Sequence, residues 1–176
     1  MNPIAPPAQP AQSAVARAPA GAYSKPSPVH PMSPQTPSPK PLDKVETIKL
    51  ASNYLRGTLA ASLGDRTTGA IADDDTAISK FHGIYQQDQR DLRAERKKQG
   101  LEKAFMFMIR IRVPGGVCTP EQWLKIDALA DRYGSGSLRL TTRQAIQLHF
   151  VTKDVLKQTM QGINAALMDT IAACGD

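Results

Sequence analysis

The sequence predicts an α+β fold of the αβ-plait type, in which strands and helices alternate around one sheet. Two observations support this prediction. Residues 104–113 and 137–151 alternate between apolar and polar side chains with a period of two, which is typical of half-buried strands. Each segment is followed by an amphipathic helix, the first over about 120–133 and the second over about 154–168.

Residues 1–44 are predicted to form a disordered, proline-rich leader. They hold 12 of the 14 prolines of the chain, among small residues such as alanine and serine. This composition buries too little apolar surface to offset the entropy that is lost on folding. The leader has no signal-peptide core, and no segment of the sequence is apolar over a length that could span a bilayer. We therefore expect a cytoplasmic protein without a membrane partner.

Charge and cysteine content limit the classes of function. Residues 45–176 carry 18 Lys and Arg against 15 Asp and Glu, a net charge of +3. This charge is too small to indicate a nucleic-acid-binding protein by itself. Cys118 and Cys174 are too few for a disulfide framework or a four-ligand metal site, so we expect a reducing compartment and no metal site in this chain.

The secondary structure of the segments before residue 104 is less clearly indicated by the sequence. The predicted elements are one helix or two short helices over 46–63 interrupted near Gly57, a loop over 64–76, a short strand over 78–85, and a charged helix or arm over 88–99. The run Asp73, Asp74 and Asp75 suggests a metal site, but three adjacent carboxylates in one loop cannot all point inward. A solvated turn is therefore the favoured interpretation.

The first clear strand separates two kinds of side chain. One predicted face is apolar and comprises Phe105, Phe107, Ile109, Ile111 and Val113, and the other comprises Met106, Met108, Arg110 and Arg112. Pro114 and the two glycines after it end the strand. Thr119 then begins a helix as its N-cap, with proline in the first turn and Gln122 at the capping-box position.

The 137–151 segment repeats the same separation. Its predicted apolar face comprises Leu138, Leu140, Ile146, Leu148 and Phe150, and its polar face comprises Arg139, Thr141, Arg143, Gln147 and His149. Guanidinium groups stay protonated and bind carboxylates through two parallel hydrogen bonds. Arginines on both strands therefore suit a ligand with several carboxylates or a small oxyanion. From the pattern alone, an ordinary solvated sheet face is the alternative interpretation.

Five blocks resemble the sirohaem-dependent sulfite and nitrite reductases in order and spacing. They are residues 52–58, 80–88, 108–116, 138–149 and 172–176. In the fourth block the matching residues are 138–144, Gln147 and His149. The arm at 90–96 is most similar to the bacterial assimilatory sulfite reductase haemoprotein (beta) subunits. The resemblance implies an N-terminal portion of such an enzyme, in which 45–100 is a helical or extended arm. Residues 101–176 would be a ferredoxin-like half-domain of the nitrite/sulfite reductase type, truncated on its C-terminal side.

The resemblance also implies a chemistry and residue roles. The reaction is the six-electron reduction of sulfite to sulfide, at a sirohaem iron bridged to a 4Fe–4S cluster, with electrons from a flavoprotein subunit or ferredoxin. Arg110 would bind and polarise the anionic substrate, sulfite or nitrite. The remaining residues would anchor or border the carboxylates of sirohaem, namely Arg139, Thr141, Arg143, Gln147 and His149. The cluster needs four thiolates, which this chain lacks, so we expect a partial sirohaem pocket that is inactive alone.

Alternatives remain open at this point. A sirohaem nitrite reductase fits the same blocks, and the preferred substrate is not decided by them. His149 is as well explained as a hydrogen-bonded sheet residue, and for His82 a structural role is favoured. A nucleic-acid-binding αβ plait would need aromatic side chains on the polar face. The pattern places Phe105 and Phe107 on the opposite face and no aromatic on the polar face of 137–151, which argues against that function.

Overall fold

Residues 41–174 are described by the structure, a computed structural model. Most of the predicted leader lies outside the described residues. Its last residue, Lys44, begins the first helix, and Asp43 is the N-cap of that helix. The helices are α1 (Lys44–Ala51), α2 (Leu59–Gly64), α3 (Asp73–Phe81), α4 (Arg93–Lys98), α5 (Pro120–Tyr133) and α6 (Lys153–Ala165). The strands are β1 (Ile84–Asp88), β2 (Phe105–Ile111), β3 (Leu138–Leu140) and β4 (Ile146–Val151), and short 3-10 turns lie at Arg90–Leu92 and Pro114–Gly116.

The four strands form one antiparallel sheet in the order β1-β2-β4-β3. Because β4 runs antiparallel to both β2 and β3, the latter two are parallel and are joined through α5, with β4 inserted between them. This is the split βαβ unit of a ferredoxin-like plait, and it confirms the α+β prediction. The edge position beside β2 is occupied by β1, so the predicted arm contributes a strand to the sheet of the predicted half-domain.

The core lies between one face of the sheet and the two long helices. Phe107, Ile109 and Ile111 of β2 are fully buried, as the alternation predicts, against Ile126 of α5 and Ile163 of α6. The α5 N-terminus also has the predicted capping box, since the Thr119 hydroxyl accepts from the Gln122 N–H and the Gln122 side chain accepts from the Thr119 N–H. Within residues 41–174, no helix is long and apolar enough to cross a membrane.

A β-bulge corrects the predicted faces of the last strand. Phe107 pairs with Val151 while Ile109 pairs with Leu148, so β4 has one extra residue between these pairs. The extra residue is absorbed at Phe150, whose φ is +63°. Val151 is therefore buried and Phe150 is 43% exposed, although Phe150 was predicted on the apolar face. A strict period of two assumes an uninterrupted ladder, and the bulge breaks it.

The hairpin between β3 and β4 is a second correction. Residues 137–151 form two short strands, not one alternating segment, and residues 141–145 are the turn between them. The turn is closed by Thr141, whose N–H donates to the Ala145 carbonyl at 2.9 Å and whose hydroxyl accepts from the Ala145 N–H at 3.0 Å. Leu140, at the end of the edge strand, is 68% exposed.

The acidic run is helical, contrary to the predicted solvated turn. Asp73, Asp74 and Asp75 form the first turn of α3, where carboxylates interact favourably with the helix dipole. Asp75 is only 1% exposed and accepts hydrogen bonds from the Thr58 N–H and hydroxyl and from the Ser62 hydroxyl. It thereby joins α3 to the start of α2. The predicted strand at 78–85 is also wrong, because α3 continues to Phe81 and β1 begins at Ile84.

The segment after α6 returns along β2. The Arg112 N–H donates to the Asp169 carbonyl at 2.8 Å, and the Ala172 N–H donates to the Phe81 carbonyl at 2.8 Å. Gly83 allows this close approach, because a Cβ atom there would lie 2.5 Å from the Thr170 carbonyl oxygen. This path carries Cys174 to the polar side chains of the sheet.

Candidate functional site

Three of the predicted site residues form a row across the polar face of the sheet. Arg110 of β2 is the direct cross-strand partner of Gln147 of β4, and Gln147 is the partner of Arg139 of β3. Directly opposed residues in an antiparallel sheet place their side chains close enough for contact. The row therefore aligns two guanidinium groups on either side of one amide.

The Gln147 amide joins Arg110 to His149. With its oxygen towards Arg110, it accepts from the Arg110 Nε and Nη2 at 3.2 and 2.8 Å. Its nitrogen then donates to the His149 Nε2 at 3.2 Å. This orientation satisfies both neighbours, since a guanidinium group has only donors and a neutral imidazole nitrogen can accept.

Arg110 is held by more than the amide. Its guanidinium carbon lies 5.5 Å from the centre of the Tyr85 ring, which is a cation–π contact with the neighbouring strand. Its Nη1 also donates to the Cys174 sulfur, and Arg143 Nη2 reaches the same sulfur at 3.5 Å. The guanidinium is therefore held by β1, β4 and the segment after α6.

His149 has an environment that disfavours its charged form. Burial, and then the positive charge of Arg139, hold the pKa of His149 below its usual value of about 6.5. The ring is therefore neutral near pH 7 and uses its Nε2 as the acceptor for Gln147. Both explanations considered for His149 find support here, since it is hydrogen-bonded within the sheet and also lines an open cleft.

That cleft has a volume of about 460 Å³ and lies between the sheet and the segment after β1. The sheet contributes Met106, Arg139, His149 and Phe150, and the following segment contributes Arg90. Phe150 lines the cleft because of the bulge, which places an aromatic ring beside the arginines. The expectation that this polar face has no aromatic is therefore wrong.

Thr141 and Arg143 lie in the β3–β4 turn and not on a strand, which corrects the predicted polar face of 137–151. A smaller cleft of about 200 Å³ is lined by Arg112, Arg143 and Gln144 beside the start of the Pro114–Gly116 turn. Arg112 also donates to the Ile171 carbonyl at 3.3 Å and lies 3.8 Å from Asp169. The structure thus brings together Arg110, Gln147, His149 and Arg139. Among residues 41–174, Arg143 is connected to this group only through the Cys174 sulfur, which Arg110 also contacts.

Sequence reasoning missed three residues near this row, namely Tyr85, Phe150 and Cys174. Tyr85 was assigned to the end of a mispredicted strand, and Phe150 to the core. Cys174 was considered only for a disulfide or a metal site and as part of the matching block 172–176. No local pattern places any of the three near Arg110, because each depends on pairing between distant segments. The structural role favoured for His82 is supported, since its Nε2 donates to the Leu55 carbonyl at 2.8 Å.

Comparison with protein families finds a match over part of the chain. Residues 99–166 match the model of the nitrite/sulfite reductase ferredoxin-like half domain. The matched range covers β2, α5, β3, β4 and α6, which together form the split βαβ unit and the helix that follows it. Residues 99–166 therefore resemble this half domain, as the sequence blocks indicate.

Individual proteins that are similar to this chain include sulfite reductase hemoproteins. The chain is 65% identical over 136 residues to a sulfite reductase (NADPH) hemoprotein beta-component from Oceanobacillus iheyensis, and 62% identical over 136 residues to one from Shouchella clausii. It is 58% identical over 139 residues to the corresponding protein of Bordetella petrii. These alignments cover 77% to 79% of this chain and 24% of each relative. The chain thus spans about a quarter of the length of these relatives.

A solved structure supports the same fold. The Mycobacterium tuberculosis NirA protein is 19% identical, with a TM-score of 0.61 over 76% of this chain and 26% of that one. At this identity the likeness concerns the fold alone. The fold of this chain is thus the one that the match to the half domain indicates.

Proposed function

We propose that this chain supplies part of the sirohaem and anion pocket of an assimilatory sulfite reductase haemoprotein. The observation that carries the proposal is the row Arg110–Gln147–Arg139, which crosses the sheet inside the family-matched region. The similarity to sulfite reductase hemoprotein beta-components favours sulfite as the substrate over nitrite. The complete enzyme would reduce sulfite to sulfide with six electrons.

The residues present fit a polycarboxylate macrocycle. Arg139 and His149 share a cleft with the apolar side chains of Met106 and Phe150, so the cleft offers both a charged donor and a surface for a ring. Arginine binds carboxylates through its planar fork of donors. Sirohaem would supply the iron at which the substrate is reduced. In this role Arg139, Thr141 and Arg143 bind its carboxylates, and Gln147 and His149 border it.

Arg110 has a separate role in the proposal. Its guanidinium is fixed by Gln147, Tyr85 and Cys174 before any ligand arrives, so little reorganisation is needed to bind an anion. Not all of its N–H groups are used in these contacts. We assign it to binding and polarising the substrate anion.

The ligands of the iron–sulfur cluster and the source of electrons are proposed to lie outside this chain. A 4Fe–4S cluster needs four thiolates, whereas this chain has two cysteines, so its ligands must come from elsewhere. The relatives carry NADPH in their names, which favours a flavoprotein subunit over ferredoxin as the electron donor. The proposal includes a cytoplasmic location and no sulfite reduction by the isolated chain.

The proposal is tested by titrating the purified 176-residue chain with sirohaem and following the absorbance of the cofactor. We expect saturable binding near one per chain, weakened when Arg139 is replaced by alanine. Lys157→Ala, a change of an exposed residue on α6, provides a control for loss of positive charge. If the wild-type chain does not bind sirohaem, or if both variants bind alike, the proposed pocket is wrong.

A further inference from the structure

The cleft beside Arg139 has a second wall that lies outside the family-matched region. This wall comprises the end of β1, from Gln87, and the 3-10 turn that begins at Arg90. The family match begins at residue 99, so neither residue belongs to it. A ligand in the cleft would contact both walls.

The turn is anchored to the sheet. The Gln89 N–H donates to the Ala104 carbonyl at 3.0 Å, just before β2 begins. Arg93 then clamps the turn to the end of β1, because its Nε and Nη2 donate to the two oxygens of Asp88, each at 2.8 Å. This hydrogen bond lowers the pKa of Asp88, which is therefore ionised at neutral pH and compensates the charge of Arg93.

Arg90, unlike Arg93, does not form a salt bridge among the described residues. Both arginines line the cleft. Its side chain is exposed, on a turn that the Arg93–Asp88 pair holds in place. Apart from that pair and the neutral His149, the charges that line the cleft are Arg90, Arg139 and Asp91, which leaves an excess of one positive charge.

The two walls present complementary chemistry. Met106 and Phe150 offer an apolar surface, while Arg90 on one wall and Arg139 on the other offer guanidinium groups. We propose that Arg90 is a further cofactor-binding residue, which binds a carboxylate of the tetrapyrrole from the arm side of the cleft. This inference rests on the proposed function, because it assigns the carboxylate to sirohaem.

The neighbouring residue Asp91 gives a second prediction about binding in this cleft. Its carboxylate lines the same cleft and would repel a carboxylate of the ligand. Replacing Arg90 should therefore weaken binding, whereas replacing Asp91 by asparagine should strengthen it. Two opposite effects at adjacent positions of one turn are not expected from a general change in stability.

The experiment is a sirohaem titration of the 176-residue chain, followed by cofactor absorbance at low and at moderate salt. For Arg90→Ala we expect a Kd about three- to tenfold higher than wild type at low salt, because the group is exposed, and a smaller difference when salt screens it. Asp91→Asn should lower the Kd. Arg66→Ala, which removes an exposed guanidinium that lines a different cleft, should leave the Kd unchanged.

The outcomes separate the two proposals. If the wild-type chain does not bind sirohaem, the proposed function fails and this inference fails with it. If wild type binds but Arg90→Ala binds equally well, the proposed function stands and the role of Arg90 is wrong. An equal loss in Arg90→Ala and Arg66→Ala would also overturn it, since the effect would then be one of net charge. Circular dichroism checks that each variant is folded, and Arg90→Gln provides a second variant that keeps a polar side chain.

Discussion

Arg110 and Gln147 are direct partners across β2 and β4, and the Gln147 oxygen accepts two hydrogen bonds from the Arg110 guanidinium at 3.2 and 2.8 Å. The same amide donates to His149 through its nitrogen at 3.2 Å. A charged arginine is thereby linked to a histidine whose neutral form is favoured. The link can be tested without cofactor.

Gln147→Glu should raise the pKa of His149. A carboxylate in place of the amide would favour the charged imidazolium and would no longer donate to Nε2. The measurement is an NMR titration of the imidazole signals of His149 in wild type and variant. Gln158→Glu adds the same charge at an exposed position on α6 and should leave the His149 titration unchanged. An unshifted His149 in Gln147→Glu would contradict the proposed contact.

The lowered pKa of His149 also predicts how stability depends on pH. In the unfolded chain the imidazole takes up a proton near pH 6.5, whereas the folded protein resists protonation until a lower pH. The unfolded state therefore binds more protons between these two values, and the free energy of unfolding falls as the pH is lowered through this window. Urea denaturation of wild type and His149→Gln between pH 7.5 and 5 provides the check. The variant should lose less stability than wild type, and equal losses would argue against the shift.

Asp75→Ala should destabilise the fold by about 2–4 kcal/mol. The substitution leaves the Thr58 and Ser62 donors without their buried acceptor, and unsatisfied buried groups are costly. Asp74→Ala, at the exposed neighbouring position, should cost within about 1 kcal/mol. Chemical denaturation of both variants measures the difference. Similar losses would mean that the carboxylate of Asp75 contributes little beyond its helix position.

Gly83→Ala should be far more destabilising than Gly100→Ala. Both glycines have a positive φ, +71° and +65°, so the backbone cost of alanine is about 1 kcal/mol at either site. At Gly83 the new Cβ would also lie 2.5 Å from the Thr170 oxygen and 2.8 Å from the Arg110 oxygen, while at Gly100 no atom lies within 4 Å. We expect a further loss of about 2 kcal/mol or more at Gly83. Equal melting temperatures for the two variants would show that the segment after α6 is not packed there.

The proposed roles of Arg110 and Arg143 can be separated in a complete reductase that carries this segment. Arg143→Ala should lower sirohaem content, because its proposed partner is a cofactor carboxylate. Arg110→Ala should retain the cofactor and lose about ten- to a hundredfold in sulfite reduction, the cost of one charged hydrogen bond. Lysine should substitute better at Arg110 than at Arg143, where bidentate geometry is needed. Full cofactor content and normal turnover in both alanine variants would contradict these roles.

Local patterns in the sequence predicted much of the fold. The period of two in 104–113 identified β2 and its fully buried residues Phe107, Ile109 and Ile111, because residues of a regular strand alternate faces whatever their partners are. It did not predict the burial of Met108, which lies on the predicted polar face and is 6% exposed. The capping residues around Thr119 located the start of α5, since a cap depends only on neighbouring residues. The blocks around Arg110 and Arg139 indicated the family, which the comparisons support.

The tertiary structure decided what depends on distant segments. The bulge that exposes Phe150 follows from the register between β2 and β4, and the burial of Asp75 follows from the packing of α3 against the start of α2. Likewise, Cys174 meets Arg110 only because the segment after α6 returns along β2. By itself, the sequence determined the elements with regular local periodicity and the presence of a cationic face. Which side chains meet on that face was decided by long-range pairing, because hydrogen bonds between strands, and not local propensity, set the register.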